Sequence, residues 1–293
     1  MGNAETASAR GTPGNAWQDR LAEWSVYVVA LLISAVFLWM LSDLALGGIE
    51  HLSWSFLLDP PQNAGRGGGI GSILVSTVLV LLISLVVALP LGWAAAVMLS
   101  EYVSSDSRFG HTVRHSLQVL AAVPSIVFGL FGNAFFSIYL GLGFSILSGG
   151  LTLACMLLPI LVSTAEAGLR ALPDTYRSSA MALGMSRAAT VFHVLLPAAA
   201  PALVTGLLLG IGRAMAETAA LLFTSGYVDR MPESLLDSGR TLAMHIFDLS
   251  MNVPGGDAAA HASALVLIVA LLLINLLAMK LATSWQRGKI AAE

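Results

Sequence analysis

Charged residues are scarce in this sequence, and their scarcity argues against a soluble fold. Only 11% of the 293 residues are charged while 57% are hydrophobic, and the mean hydropathy is +0.82. About a quarter of the residues in a soluble domain are charged. The net charge is −3, which gives no basic surface for nucleic acid, so we expect no nucleic-acid partner. We predict an integral membrane protein in contact with membrane lipid.

Cysteine is nearly absent, and the common catalytic motifs are missing. The single cysteine, Cys155, lies in an apolar run, so no disulfide can form within the chain. There is no Walker A sequence for ATP hydrolysis, and neither H-E-x-x-H nor G-x-S-x-G occurs. We therefore predict that the chain is not an enzyme and has no catalytic residue, metal site or cofactor of its own.

Long apolar runs are abundant, and about 20 residues suffice to cross ~30 Å of hydrocarbon. We predict an all-α protein with six transmembrane helices, near residues 24–46, 70–100, 116–140, 147–164, 197–224 and 261–284. The six-helix domain would comprise residues 23–284 with a core at 70–284, flanked by cytoplasmic tails at 1–22 and 285–293. Gly129 and Gly132 in the third span would let helices approach closely.

The basic residues predict the orientation, because lysine and arginine concentrate on the cytoplasmic side of membranes. Ten of them fall on the side of the termini and three on the other, with Arg213 inside a span. Both termini and the polar segment 166–197 are therefore predicted to be cytoplasmic. The ten are Arg10, Arg20, Arg108, Arg114, Arg170, Arg177, Arg187, Lys280, Arg287 and Lys289, and the three are Arg66, Arg230 and Arg240.

The segment 166–197 is unusually polar for a stretch between two apolar spans. Pro173 and Asp174 indicate a helix start, Gly184 a break and Pro197 the start of the next span. We predict two short helices that meet at Gly184 and form a docking element. The alternative is an amphipathic segment lying on the lipid headgroups.

The spacing in this segment resembles that of the cytoplasmic loop of ABC importer permeases. The pattern of that loop is E-A-A, then three residues, then G, then nine residues, then I-x-L-P. Here Ser178-Ser179-Ala180 is followed by Gly184 and by residues 194–197, Val-Leu-Leu-Pro. The departure is Ser178-Ser179 in place of the usual Glu-Ala. The resemblance implies that the loop couples to an ATP-hydrolysing subunit, through Arg177, Ser178, Ser179, Ala180, Leu183, Gly184 and Met185.

Residues 69–92, 123–132, 212–222 and 241–247 resemble the PstA family of phosphate permease subunits. The resemblance implies a type I importer permease (MetI-like) fold in the bacterial inner membrane, and transport of phosphate. It also implies a second, PstC-like permease subunit, two PstB-like ABC ATPase subunits that bind ATP and Mg, and an extracytoplasmic PstS-like phosphate-binding protein. The family's R-A-x-G-E-T appears as residues 213–218, with alanine at the glycine.

Arg213 and Glu217 are four residues apart, so we predict that they share one helix face. A charge at the membrane centre costs roughly 2.5–3.5 kcal/mol and commonly marks a transport pathway. Arg213 would donate to an oxyanion, and Glu217 would hold Arg213 or accept the proton of hydrogen phosphate. The alternative is a purely structural ion pair. Thr218, Ser76 and Thr77 would line the same route, unless their hydroxyls only bond to backbone carbonyls.

A secondary, ion-gradient-driven anion transporter is the rival function. Such transporters are commonly built from internal repeats, and we detect none in this sequence.

Overall fold

The computed structural model describes residues 16–104 and 106–290, and this part of the chain is mostly helical, as predicted. The predicted tails fall partly outside it, since residues 1–15 and 291–293 are not among the described residues. Residues 16–22 and 285–290 lie in helices. The first long helix therefore begins several residues before the predicted span.

The described residues fall into two units, divided between Leu46 and Gly47. The described part of the first unit belongs to one apolar helix, α1 (Ala16–Ile49). The second unit contains the short helix α2 (Trp54–Leu58) and a two-stranded antiparallel ribbon, β1 (Pro61–Gln62) with β2 (Gly67–Gly68). Its other helices are α3 (Gly71–Val97), α4 (Arg108–Ala122), α5 (Ser125–Gly132), α6 (Ile146–Arg170), α7 (Asp174–Ala182), α8 (Arg187–Thr190), α9 (Leu196–Ala198), α10 (Ala200–Met215), α11 (Ala219–Leu222), α12 (Leu242–Met251) and α13 (Asp257–Ile290).

Short π-helical turns extend three of these helices. They lie at Met98–Tyr102 after α3, at Asn133–Tyr139 after α5 and at Val191–Leu195 after α8. Four described helices are long and apolar enough to cross a membrane, Arg20–Ile49, Gly71–Tyr102, Ile146–Arg170 and Asp257–Lys280. Two bent helix pairs raise the number to six if each pair counts as one span, in agreement with the predicted number.

The third predicted span, residues 116–140, is not one straight helix. Helix α4 and the helix that begins at Ser125 meet at an angle of 99°. Val123 has φ −66° and ψ 129°, because the ring of Pro124 disfavours α-helical geometry in the residue before it. Pro124 also lacks the N–H that a continuous helix would use. The prediction of a single helix was therefore wrong at this position.

Small residues bring the helices of the second unit together. A Cβ built on Gly150 of α6 would lie 2.5 Å from Ile83 Cγ2 of α3, and one on Gly129 of α5 would lie 2.9 Å from the Cα of Ala220. A Cβ on Gly132 would collide with Thr152. The predicted close approach at Gly129 and Gly132 is confirmed. The core between these helices contains the buried side chains Val80, Phe128, Leu153, Leu157, Leu161 and Leu221.

Candidate functional site

The polar segment 166–197 forms a helical hairpin, residues 174–195, between α6 and α10. Residues 166–170 are the end of α6, and the hairpin begins at Asp174, where Pro173 and Asp174 predict a helix start. Helix α7 starts at Asp174, directly after Pro173. The acidic side chain in the first turn is favourable, since the amino end of a helix carries partial positive charge.

Gly184 ends α7 in a Schellman motif. Its φ is +73°, which glycine adopts without the steric cost that a Cβ adds. The N–H of Gly184 donates to the carbonyl of Met181 at 3.0 Å, and the N–H of Met185 donates to the carbonyl of Ala180 at 3.0 Å. Ser186 then caps α8 by accepting from the N–H of Ala189 at 3.2 Å. The prediction that two short helices meet at Gly184 is confirmed.

The tip of the hairpin presents apolar side chains. Leu183 is 80% exposed and Met181 67% exposed. Of the other predicted coupling residues, Ser178, Ser179 and Gly184 are exposed, Met185 is half-buried and Ala180 is buried. A cleft of about 370 Å³ opens here, lined by Thr175, Tyr176, Ser179, Ala180, Leu183, Met185 and Val194. The hairpin thus offers a cleft and a protruding leucine to any protein that binds it.

Arg177, also a predicted coupling residue, points inward instead. Its Nη2 lies 2.7 Å from Glu101 Oε1 and its Nε lies 3.0 Å from Glu101 Oε2. Nη2 also donates to the carbonyl of Leu169 at 3.0 Å, and Nη1 to that of Leu172 at 3.2 Å. The hydrogen bonds to Glu101 raise the pKa of the Arg177 guanidinium above its usual value. Arg177 therefore attaches α7 to the ends of α3 and α6.

A second ionic cluster lies beside the first. Arg114 and Arg170 both contact Glu166 Oε1, with Nε at 2.7 Å and 3.0 Å, and both donate to the carbonyl of Leu99. The π-helical turn sets that carbonyl apart from regular helix bonding, since the N–H of Val103 bonds to Met98 instead. Our sequence reasoning missed the role of Glu166 and Glu101. The only available signal was a carboxylate close to several arginines at the predicted span ends.

The predicted arrangement of Arg213 and Glu217 is wrong. Helix α10 ends at Met215, so the two residues do not share one helix face, and no ion pair joins them among the described residues. Glu217 is buried, and its Oε1 accepts from the N–H of Ala220 at 3.1 Å. It thereby supports the first turn of α11, next to the half-buried Thr218.

Arg213 borders an otherwise largely apolar cavity of about 210 Å³. The cavity is lined by Leu120, Ala121, Phe128, Met156, Pro159, Ile160, Ser163 and Arg213. The Arg213 side chain is exposed, so its guanidinium donors are accessible. The structure thus separates Arg213, at a cavity, from Glu217, in a buried turn.

Ser76 and Thr77 are buried in α3 at 1% and 6% exposure. The hydroxyl of Thr77 donates to the carbonyl of Ile73 at 2.7 Å and accepts from the N–H of Leu242 at 2.8 Å. Ser76 packs against Gly239, where a Cβ would lie 2.9 Å from its Oγ. Thr77 thus connects α3 to the first residue of α12, and its hydrogen bonds agree with the alternative that its hydroxyl serves the backbone.

The hairpin, and all of the long apolar helices described above except α1, lie wholly or partly in a stretch of the chain that matches a known transport family. The family described as "Binding-protein-dependent transport system inner membrane component" matches residues 88–288. The chain belongs to this family. It is a multi-pass protein of the inner membrane and an ABC importer permease subunit, as the resemblance implied.

Relatives of similar length support this assignment. The "Probable ABC transporter permease protein YqgI" of Bacillus subtilis is 32% identical over 280 residues, which cover 90% of this chain and 95% of that protein. The "Phosphate transport system permease protein PstA 2" of Mycobacterium bovis is 31% identical over 255 residues, 86% of this chain and 83% of that protein. The "Phosphate transport system permease protein PstA" of Yersinia pestis is 32% identical over 244 residues, 82% of each chain.

Solved structures confirm the predicted fold. A chain of a bacterial alginate ABC transporter, in complex with its periplasmic protein, aligns with a TM-score of 0.64 and 15% identity, over 90% of this chain and 96% of that one. A chain of the MetNI methionine ABC transporter in an inward-facing conformation aligns with a TM-score of 0.57 and 17% identity, over 74% of this chain and 94% of that one.

Proposed function

We propose that the chain is a permease subunit of an ATP-driven importer of inorganic phosphate, and that it forms half of the translocation pathway. The observation that carries the proposal is the hairpin tip, where Leu183 is 80% exposed on a glycine-capped turn. An exposed apolar side chain beside a cleft is suited to a protein partner. The relatives named as phosphate permeases support the choice of substrate.

In this proposal the hairpin and both termini are cytoplasmic, as the excess of basic residues on that side favours. Two PstB-like ATPase subunits bind ATP and Mg and dock on the hairpins of this chain and of a PstC-like second permease subunit. A PstS-like extracytoplasmic protein delivers phosphate from the opposite side. The chain itself hydrolyses no ATP and holds no cofactor.

The role that we propose for each predicted pathway residue is inferred from the contacts of its side chain. Arg213 is the proposed phosphate contact, because its exposed guanidinium borders a cavity and its planar donors suit phosphate oxygens. Glu217 and Thr218 position the turn that follows Arg213 rather than pair with it. Ser76 and Thr77 hold α3 to the chain around residues 239–242. We therefore assign these four a supporting role along the route.

Uptake of radioactive phosphate into proteoliposomes that contain all four kinds of subunit tests the function. We expect uptake that requires enclosed ATP and persists when ion gradients are collapsed. Uptake that follows a gradient without ATP would instead establish the secondary transporter. A complete system that moves another anion but no phosphate would contradict the proposed substrate.

The hairpin's part can be tested with a matched pair of glycine variants. Gly184→Pro removes both the positive φ of +73° and an N–H that donates, so ATP-dependent uptake should be lost. Gly255→Pro changes a residue of similar φ, +76°, in a loop outside the hairpin, and uptake should be retained. Normal uptake by Gly184→Pro would show that the hairpin is not the coupling element.

Ser178→Glu, which restores the family's usual acidic residue, should strengthen binding of the ATPase.

A further inference from the structure

The hairpin is connected to the rest of the second unit unevenly. Its second half packs well, since Val191 and Leu195 are buried together with Leu169 and Ala199. Under α7 the packing is incomplete, and a cavity of about 170 Å³ is lined by Glu101, Arg177, Met181, Met185, Arg187, Thr190, Val191 and Leu195. The cavity is partly open to the surface, so α7 is not close-packed on this side as a protein interior is. Apolar packing alone therefore attaches α7 only weakly to α3.

Polar contacts supply the missing attachment. Among the described residues of α7, only Arg177 forms side-chain hydrogen bonds to other helices, whereas those of Ser178 stay within α7. Both Glu101 oxygens accept from Arg177, at 2.7 Å and 3.0 Å, and the two side chains are 11% and 23% exposed. A bidentate, partly buried pair of this kind fixes both distance and angle.

The same guanidinium also reaches α6. It donates to the carbonyls of Leu169 and Leu172, where the carboxyl end of a helix leaves carbonyls free and favours a cation. One side chain thus joins the hairpin to α3 and α6 at once. Helix α6 continues to the Arg213 cavity, which Met156, Pro159, Ile160 and Ser163 line from that helix.

We infer that Glu101 and Arg177 are positioning residues that transmit movement of the hairpin to α3 and α6, and so to the cavity at Arg213. The inference rests on the proposed function and adds to it a specific transmitting contact. An ATPase that pulls on the hairpin would displace the ends of both helices through this pair. Without the pair, the ATPase would still bind the exposed tip, but its movement would stay within the hairpin.

A double-mutant cycle in the reconstituted complex tests the inference through three readouts, namely bound ATPase, ATP hydrolysis and phosphate uptake per ATP. Glu101→Gln and Arg177→Gln should each keep the bound ATPase but lower uptake per ATP by about tenfold, within the 5–150-fold typical of coupling between sites. The double variant should lose no more than Arg177→Gln alone, because that substitution already removes the contact with Glu101. Asp174→Asn is the matched control. It removes the 98% exposed carboxylate that Arg177 also contacts, at 3.3 Å, so uptake per ATP should be unchanged.

Losses that multiply in the double variant, or loss of bound ATPase in either single variant, would overturn the inference. A wild-type complex without ATP-dependent phosphate uptake would instead contradict the proposed function. Hydrogen exchange on ATPase binding separates the two cases, because it does not depend on the substrate. In the wild type, protection should spread from the hairpin to residues 98–103, and in Glu101→Gln it should stop at the hairpin. Equal spreading in both would overturn the inference on its own.

Discussion

Replacing Gly129 with alanine tests the packing that positions the chain after Arg213. The new methyl group would lie 2.9 Å from the Cα and 3.0 Å from the carbonyl oxygen of Ala220. Both atoms belong to the backbone, so the steric clash can be relieved only by a shift of α11 and not by a change of side-chain rotamer. Because Glu217 caps α11, that shift would also disturb the turn between Arg213 and α11.

The expected change in unfolding free energy is the balance of two opposing contributions. Alanine in place of glycine inside a helix gains up to about 1 kcal/mol in helix propensity, whereas overpacking costs about 1–3 kcal/mol. Gly212→Ala is the matched control, since its methyl group would meet no described atom within 4 Å in α10. It should show the propensity gain alone. The two variants should therefore differ by about 1–3 kcal/mol, the full overpacking cost.

Thermal unfolding of both variants in the same detergent measures this difference. At 2–4 °C per kcal/mol for chains of this size, the midpoint of Gly129→Ala should lie roughly 2–12 °C below that of Gly212→Ala. Phosphate uptake should fall in the former variant. Equal midpoints would refute the close contact between α5 and α11. A higher midpoint for Gly129→Ala would show that the added methyl group stabilises the protein, which contradicts the predicted overpacking.

Two further predictions concern buried polar groups. Burial and the nearby Arg240 lower the pKa of His245 to about 4, against about 6.5 in the unfolded chain. The unfolded state therefore binds the proton first, and stability present above pH 6.5 should fall by about 2 kcal/mol between pH 7 and pH 5. Unfolding of His245→Gln at the two pH values should show a smaller fall, and an equal fall would rule out His245 as its source. Thr77→Val strands the buried N–H of Leu242 and should cost about 1–3 kcal/mol in unfolding free energy. Thr77→Ser should cost less, and equal losses would assign the effect to packing rather than to the hydroxyl.

Local chemistry made much of the fold predictable. The number of spans follows from hydropathy, and the hairpin follows from Pro173, Asp174 and Gly184, whose preferences act within a few residues. The Schellman bonds around Gly184 lie within the six residues 180–185. Features of this kind depend little on the rest of the molecule, so the sequence alone predicts them.

The ion pairs were not predictable, because they join distant parts of the chain. Arg177 and Glu101 are 76 residues apart, and Arg114 and Glu166 are 52 apart. Which arginine meets which carboxylate depends on how α3, α4 and α6 pack. The sequence therefore shows which residues are charged but not which of them form ion pairs.

The end of α10 was missed for a different reason. No proline or glycine lies between Arg213 and Thr218, so helical periodicity appeared to continue. The structure instead tightens the last turn, with the N–H of Glu217 bonded to the carbonyl of Ala214 at 3.3 Å. The buried carboxylate of Glu217 then caps the following helix. The burial of that side chain is a tertiary feature, which the local sequence does not show.

Docking of an ATPase subunit on the hairpin tip is the central claim, and thiol labelling tests it most directly. Cys155 is the only cysteine, so Leu183→Cys in a Cys155→Ala background provides a single exposed thiol at the tip. Met251→Cys, at a residue that is 72% exposed outside the hairpin, is the control. We predict that added ATPase subunits slow labelling at residue 183 and leave residue 251 unaffected. Equal labelling at residue 183 with and without bound ATPase would contradict the account.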